Sequence, residues 1–212
     1  METYANRQEA GILLAEHLTE FTRQPDTLIL ALPRGGVPVA YEVATRLSLP
    51  LDVFIVRKLG VPDFQEFAMG AIASGNTLIL NKKIIRELSI EHDLIDEVRR
   101  KEQEELARRE LLYRGDRPFP SLQEKTIILI DDGIATGSTM LAAIKAVKKH
   151  KPKALIIAVP VAALSTCQSL EKKVDQVICP LRPIDFYAVG YWYDSFPQVE
   201  DAEVIALLGS RE

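Results

Sequence analysis

The stretch Thr126-Ile-Ile-Leu-Ile-Asp131-Asp132-Gly133-Ile-Ala135-Thr136-Gly137-Ser138-Thr139 constrains the fold more than any other part of the chain. Its apolar run is short and continuous rather than alternating, as expected of a strand buried on both faces in a helix-covered parallel sheet. Such a strand carries its last residues to the carboxyl edge of the sheet, the edge where open α/β folds bind ligands. Two adjacent carboxylates arriving there cannot both be core residues. The small, hydroxyl-rich turn Ala135 to Thr139 then enters a helix, so that backbone N–H groups, hydroxyls and the helix dipole converge on one point suited to a phosphate. Carboxylates suit ribose hydroxyls and metal-bound water, and the turn suits a phosphomonoester. Together they describe a sugar phosphate rather than a dinucleotide. The spacing excludes G-x-G-x-x-G, and a P-loop requires lysine where Ser138 follows Gly137.

The remaining pattern repeats the strand and helix alternation. Gly11, Leu14, Leu18 and Phe21 follow a helical period, predicting a helix over 7–21. Thr27 to Leu32 reads as a buried strand broken by Pro33-Arg34-Gly35-Gly36. A helix carrying Ala40, Val43, Ala44 and Leu47 follows, then a second buried strand over 51–56. Gly75-Asn76 predicts a hairpin of 69–74 with 77–81, standing off the main sheet. Residues 82–114 read as helical, with Glu104/Arg108 and Glu105/Arg109 in the favourable i,i+4 order on a solvated face. Gly115 to Ser121 is a loop. Strands over 126–130, 154–161 and 176–179, and helices over 138–149 and 201–208, complete an α/β reading with right-handed crossovers and a parallel-sheet core flanked by helices.

Composition narrows the function classes. A formal net charge of −4, from 30 acidic and 26 basic residues, argues against a general nucleic-acid binder. No apolar run approaches the roughly 20 residues needed to span a bilayer, and the polar amino terminus gives a cytoplasmic reading. Two cysteines and three scattered histidines give neither a disulfide framework nor zinc-ligand spacing.

At Thr126 to Thr139 the sequence resembles the type I phosphoribosyltransferases, whose signature is an apolar strand, two acidic residues and a Thr-Gly-containing phosphate loop. Asp-Asp-x-x-Ala-Thr-Gly is most similar to the adenine enzymes. Ala135 stands where the hypoxanthine and guanine enzymes place an aspartate, a proposed base for the purine. The resemblance implies one domain over 1–212 with a hairpin and helical hood within 61–120, and Mg²⁺ as cofactor. It assigns the ribose hydroxyls of phosphoribosyl pyrophosphate to Asp131 and Asp132, and the 5′-phosphate to Ala135, Thr136, Gly137, Ser138 and Thr139.

The same resemblance gives pyrophosphate to the loop of Arg34, Gly35 and Gly36, with a cis peptide expected at Pro33–Arg34, and to the pair Arg57-Lys58 at the end of the second strand. Arg34 and Lys58 join Asp131 and Asp132 as the candidate catalytic residues. Residues 59–81 occupy the place of the family's flexible catalytic loop, where Glu66 is a candidate carboxylate. Near the C-terminus Tyr187 matches an aromatic that stacks on the purine, and Asp194 an aspartate that helps hold magnesium. Core packing is the competing reading for Trp192 and Tyr191.

The implied activity is transfer of the 5-phosphoribosyl group to a nitrogen nucleophile, in the nucleobase class, with release of pyrophosphate; a homodimer is common among relatives. The alternative from another class is a regulator that senses phosphoribosyl pyrophosphate and binds nucleic acid or a protein without turnover. Arg99 to Arg109 offers it a local basic strip.

Overall fold

Three apolar runs with no room for polar alternation, Thr27–Ala31 (β1), Thr126–Ile130 (β6) and Ala154–Ala158 (β7), lie side by side at the centre of a five-stranded sheet. Leu51–Val53 (β2) and Gln176–Ile178 (β8) form its edges, the order is β2-β1-β6-β7-β8, and every pairing is parallel. The computed structural model describes residues 3–62 and 64–210, with the side chains of Gln65 and Glu66 excepted.

Strand geometry sends alternate residues to opposite faces, and both faces are dry. Ile29, Ala31, Ile128, Ile130, Ile156 and Ala158 meet the helices Arg7–Glu16 (α1), Gly36–Leu47 (α2) and Asp201–Gly209 (α7). Leu28, Leu30, Ile127, Leu129, Leu155 and Ile157 meet Ser138–Lys149 (α5) and Leu164–Glu171 (α6). This is the parallel-sheet core flanked by helices that the strand pattern predicts.

A second sheet, antiparallel and three-stranded, is made by Val56–Val61 (β3), Phe64–Ala73 (β4) and Thr77–Leu80 (β5) in the order β3-β4-β5. Its β4–β5 turn is the expected Gly75-Asn76 pair, with φ +73° and +54°. The strand expected over 51–56 divides here. The Phe54 N–H still bonds to Ala31 O (2.8 Å), but the Ile55 N–H turns to Ser74 Oγ (3.0 Å) and its carbonyl accepts from the Ser74 N–H (2.9 Å). The chain thereby leaves the parallel sheet for the antiparallel one, and most of the described residues of 59–81 lie in β3, β4 and β5 rather than in an open loop.

The expected helix over 82–114 also divides, into Lys82–Glu87 (α3) and His92–Arg114 (α4), across Ser89 at φ +49°. On α4, Arg108 and Arg109 both reach Glu105, so the predicted Glu105/Arg109 pair forms whereas Arg108 chooses the i−3 glutamate over Glu104. The amino-terminal helix stops at Glu16 and gives way to a single 3₁₀ turn at Thr19–Phe21. Arg114, buried at the end of α4, bonds Asp52 and the Val53 carbonyl, stapling the α4 terminus to β2.

Candidate functional site

The turns that leave β1 and β6 at the carboxyl edge are pressed together. A Cβ on Gly36 would stand 2.7 Å from Ile130 O and 2.9 Å from Asp131 Cα, and one on Gly35 would stand 2.1 Å from Asp132 Oδ2. Only glycine allows the β1 turn to lie against the two carboxylates. The Pro33–Arg34 peptide within that turn is cis, as expected. Arg34 is half-buried, its Nη1 3.7 Å from Glu200 and 3.8 Å from Asp201 at the start of α7.

Asp131 and Asp132 differ in environment. Asp131 Oδ1 accepts the Asp132 N–H (2.9 Å). Burial, then the charge of Asp132, pushes the Asp131 carboxyl well above the ordinary range. Burial also raises Asp132, but the Arg7 guanidinium opposes it, with Nε and Nη2 each 2.8 Å from Asp132 Oδ2. Of the coupled pair, Asp131 is pushed up the more strongly, and the Arg7 guanidinium favours the charged form of Asp132.

Arg7 is itself fixed. Its Nη1 donates to Pro197 O (2.7 Å) and its guanidinium carbon lies 3.7 Å from the centroid of the Phe196 ring. Tyr193 donates its hydroxyl to Asp132 O (2.5 Å). Motif reading missed Arg7, Tyr193 and Phe196. One signal was present: Arg7 shares the i, i+3, i+4, i+7 stripe with Ala10, Gly11 and Leu14, and a charge on a core-facing stripe requires a buried partner.

The turn over 135–139 has the form expected of an anion site. Gly137 adopts φ +74° and precedes α5, which has no side-chain cap and no acidic residue in its first turn. Its first N–H groups and dipole are therefore left for an incoming group. Ala135, Thr136, Ser138 and Thr139 are exposed, Gly137 is buried, and Thr166 of α6 steadies the turn through Ala135 O (2.8 Å). Lys58 joins it by donating Nζ to Ser138 Oγ (2.5 Å).

Other expected residues do not converge there. Arg57 and Lys58 begin β3 rather than end β2, and a strand sends neighbours to opposite faces. Arg57 therefore turns from the 135–139 turn to α4, where Nε bonds Glu102 (2.7 Å). Tyr187 is 85% exposed, 6.1 Å from the Tyr191 ring. Asp194 is exposed and accepts from Thr3 Oγ1 (2.8 Å). The Trp192 side chain packs against Phe186, whereas Tyr191 is exposed rather than core. The Glu66 side chain lies outside the described residues. Among the described residues, no three His, Cys, Asp or Glu side chains gather as a metal-binding group.

Arg7, Arg34, Gly35, Asp132, Val189 and residues 196–199 line a cavity of about 500 Å³. Electrostatically the edge offers two carboxyl groups with raised pKa, two guanidinium groups, an ammonium and a helix terminus.

Residues 3–195 match the phosphoribosyl transferase domain family. Two Mycobacterium tuberculosis proteins that carry the provisional name of phosphoribosyl transferase, MT0597 of strain CDC 1551 / Oshkosh and Rv0571c of strain H37Rv, are each 39% identical to the chain over 208 residues. The match takes 98% of this chain but 47% of each relative, so the chain spans about half the length of those proteins. Among solved structures, TT1426 from Thermus thermophilus superposes with a TM-score of 0.86 at 38% identity, covering 98% of both chains. With the family matched across most of its length and the fold shared by a solved relative, the chain belongs to the phosphoribosyl transferase domain family.

Proposed function

We propose that the carboxyl edge binds phosphoribosyl pyrophosphate and transfers its phosphoribosyl group to a nitrogen of a nucleobase-class acceptor, releasing pyrophosphate. One observation carries the reading: a carboxylate pair and an uncapped, hydroxyl-rich helix start stand on one loop, with a glycine turn pressed against the same carboxylates. A sugar phosphate needs a diol acceptor and a phosphate cradle at short fixed separation, and this loop supplies both.

In this reading Asp131 and Asp132 hold the ribose hydroxyls, and Ala135 to Thr139 hold the 5′-phosphate with Lys58 at its side. Arg34, Gly35 and Gly36 face the pyrophosphate. Arg57, engaged with Glu102, is left out of the binding set. The acceptor nitrogen attacks C1 from the face opposite pyrophosphate, the C1–O bond breaks with its electron pair leaving on pyrophosphate, and the acceptor proton passes to solvent. Positive charge grows on the ribose as in glycoside cleavage. Asp132, whose charged form Arg7 favours, and the Arg34 guanidinium stabilise the separated charges.

Magnesium fits this edge only in part. Its preferred mode uses one or two carboxylates with waters and substrate phosphate oxygens. Asp131 and Asp132 are the carboxylates that would meet a substrate-borne ion; Asp194, tied to Thr3, is not gathered with them. When bound, the ion would neutralise pyrophosphate charge.

Calorimetric titration with phosphoribosyl pyrophosphate tests the site. Asp131→Asn with Asp132→Asn should abolish binding, and unchanged binding overturns the assignment. Pyrophosphate release with a panel of nucleobases tests turnover; binding without release would make the protein a sensor.

A further inference from the structure

A second cavity, of about 530 Å³, opens on the other side of Lys58, between the antiparallel sheet and α5. Four of its lining residues, Ser138, Leu141, Ala142 and Lys145, follow the i, i+3, i+4, i+7 spacing and so form one face of α5. The facing sheet contributes small residues at Gly60, Ala68, Gly70 and Ala71, which leave the gap open. A Cβ placed on Gly60 would meet nothing within 4 Å.

The lining has two kinds of chemistry. Phe67 and Leu80, two large apolar side chains, remain 40% and 39% exposed beside it. Lys58, Lys82 and Lys145 bring three ammonium groups, and the named lining contains no carboxylate. Among the described residues neither Lys82 nor Lys145 forms an ion pair. Three cationic residues lining one cavity, with no carboxylate among the described residues of its lining, favour an anion. An apolar wall of this size favours a flat ring attached to that anion.

We propose that this pocket is a second ligand site, which takes an aromatic phosphomonoester, its ring against Phe67 and Leu80 and its phosphate between Lys82 and Lys145. The site is distinct from the carboxylate edge and uses none of Asp131, Asp132 or Arg34. It touches that edge at one place, because Lys58 and Ser138 line the pocket and also form the phosphate turn. Lys58 therefore stands where the two sites meet.

The test uses 1-naphthyl phosphate, which has a ring and a phosphate but no ribose diol, titrated into the full chain by calorimetry. Binding should survive in the Asp131→Asn/Asp132→Asn variant within about twofold. It should weaken at least about tenfold in Lys82→Ala/Lys145→Ala, one lost charge-assisted contact or more. The lysine variant should bind phosphoribosyl pyrophosphate as the parent does. Gly60→Val, which fills the open gap, should weaken naphthyl phosphate in the same way, giving a second reading if the lysine variant is not folded by circular dichroism. Inorganic phosphate should bind more weakly than naphthyl phosphate. The proposal falls if naphthyl phosphate does not bind at millimolar concentration, if the lysine and Gly60 variants bind it as the parent does, or if the aspartate variant abolishes it. The last result would mean that the probe occupies the carboxylate edge. Because the readout needs no turnover, failure of the transferase reading leaves this test intact.

Discussion

Replacing Arg7 by methionine isolates the ion pair that separates the two aspartates. Arg7 and Asp132 are nearly removed from water, with side chains 10% and 13% accessible. The substitution removes two charge-assisted contacts to Asp132 Oδ2, one to the Pro197 carbonyl and the stacking on Phe196. Breaking a buried pair by deleting one partner typically costs about 3–5 kcal/mol, most of it from the stranded charge. Stacking of a cation on an aromatic adds about 0.5–2 kcal/mol. We expect a loss of about 4 kcal/mol at pH 7 by urea denaturation.

The pH dependence identifies the cause. Burial already holds the Asp132 pKa above its ordinary value, and Arg7 is the main influence opposing it. Without Arg7 it rises further. A carboxyl whose folded pKa lies above its unfolded one is relatively stabilising at low pH, and that advantage is lost as pH rises through the folded value. The variant's deficit should therefore shrink as pH falls from 7 toward 4, by up to about 1.4 kcal/mol per unit while Asp132 takes up a proton. A remainder of about 1–2 kcal/mol should persist from the lost packing and carbonyl bond. Arg7→Met combined with Asp132→Asn should recover much of the pH 7 loss, since no charge is then stranded. A deficit equal at pH 7 and pH 4.5, or a double variant no more stable than Arg7→Met, would refute the reasoning.

Three further outcomes follow from the same geometry. Asp131→Asn should be more stable than the parent at pH 8 and lose that margin in acid, because burial raises Asp131 and its ionisation opposes folding as pH rises; denaturation midpoints across pH check this. Gly35→Ala should cost about 1–3 kcal/mol and weaken binding of phosphoribosyl pyrophosphate at least tenfold by calorimetry, since its Cβ would stand 2.1 Å from Asp132 Oδ2. Lys58→Met should weaken that binding while leaving the melting temperature nearly unchanged. Arg57→Met should do the reverse, losing about 1 kcal/mol with its Glu102 pair and leaving affinity within twofold.

Legibility from sequence followed the range of the interaction. The buried strand over 126–130 and its carboxylates were readable because everything that defines them is contiguous: an apolar run, two acids and a hydroxyl-rich turn. The Gly75-Asn76 turn was readable for the same reason. The break after Val53 was not, because it depends on Ser74, a residue 19 positions from Ile55 that offers its hydroxyl and N–H at the crossing. Missing that break put Arg57 and Lys58 together at one strand end. Their separation to opposite faces follows from strand alternation once β3 is placed.

The aromatic cluster shows how a local match can leave a structural neighbour unread. Tyr187 fits a family position, yet it stands in solvent, while Tyr193 six residues on is buried and bonds the Asp132 carbonyl. The difference lies in the amino terminus. Tyr4 bridges to Tyr193, its N–H bonds the Trp192 carbonyl, and its ring lies 5.6 Å from that of Tyr193. Tyr193 in turn lies 4.9 Å from Phe196, and Phe196 carries Arg7. The first and last parts of the chain thus build one support behind the central carboxylates, and Arg7 and Tyr193 are its points of contact with Asp132. Shortening the chain before Arg7 would therefore act on Asp132 without touching the phosphate turn, whose Gly137, Thr166 and Lys58 contacts come from other elements.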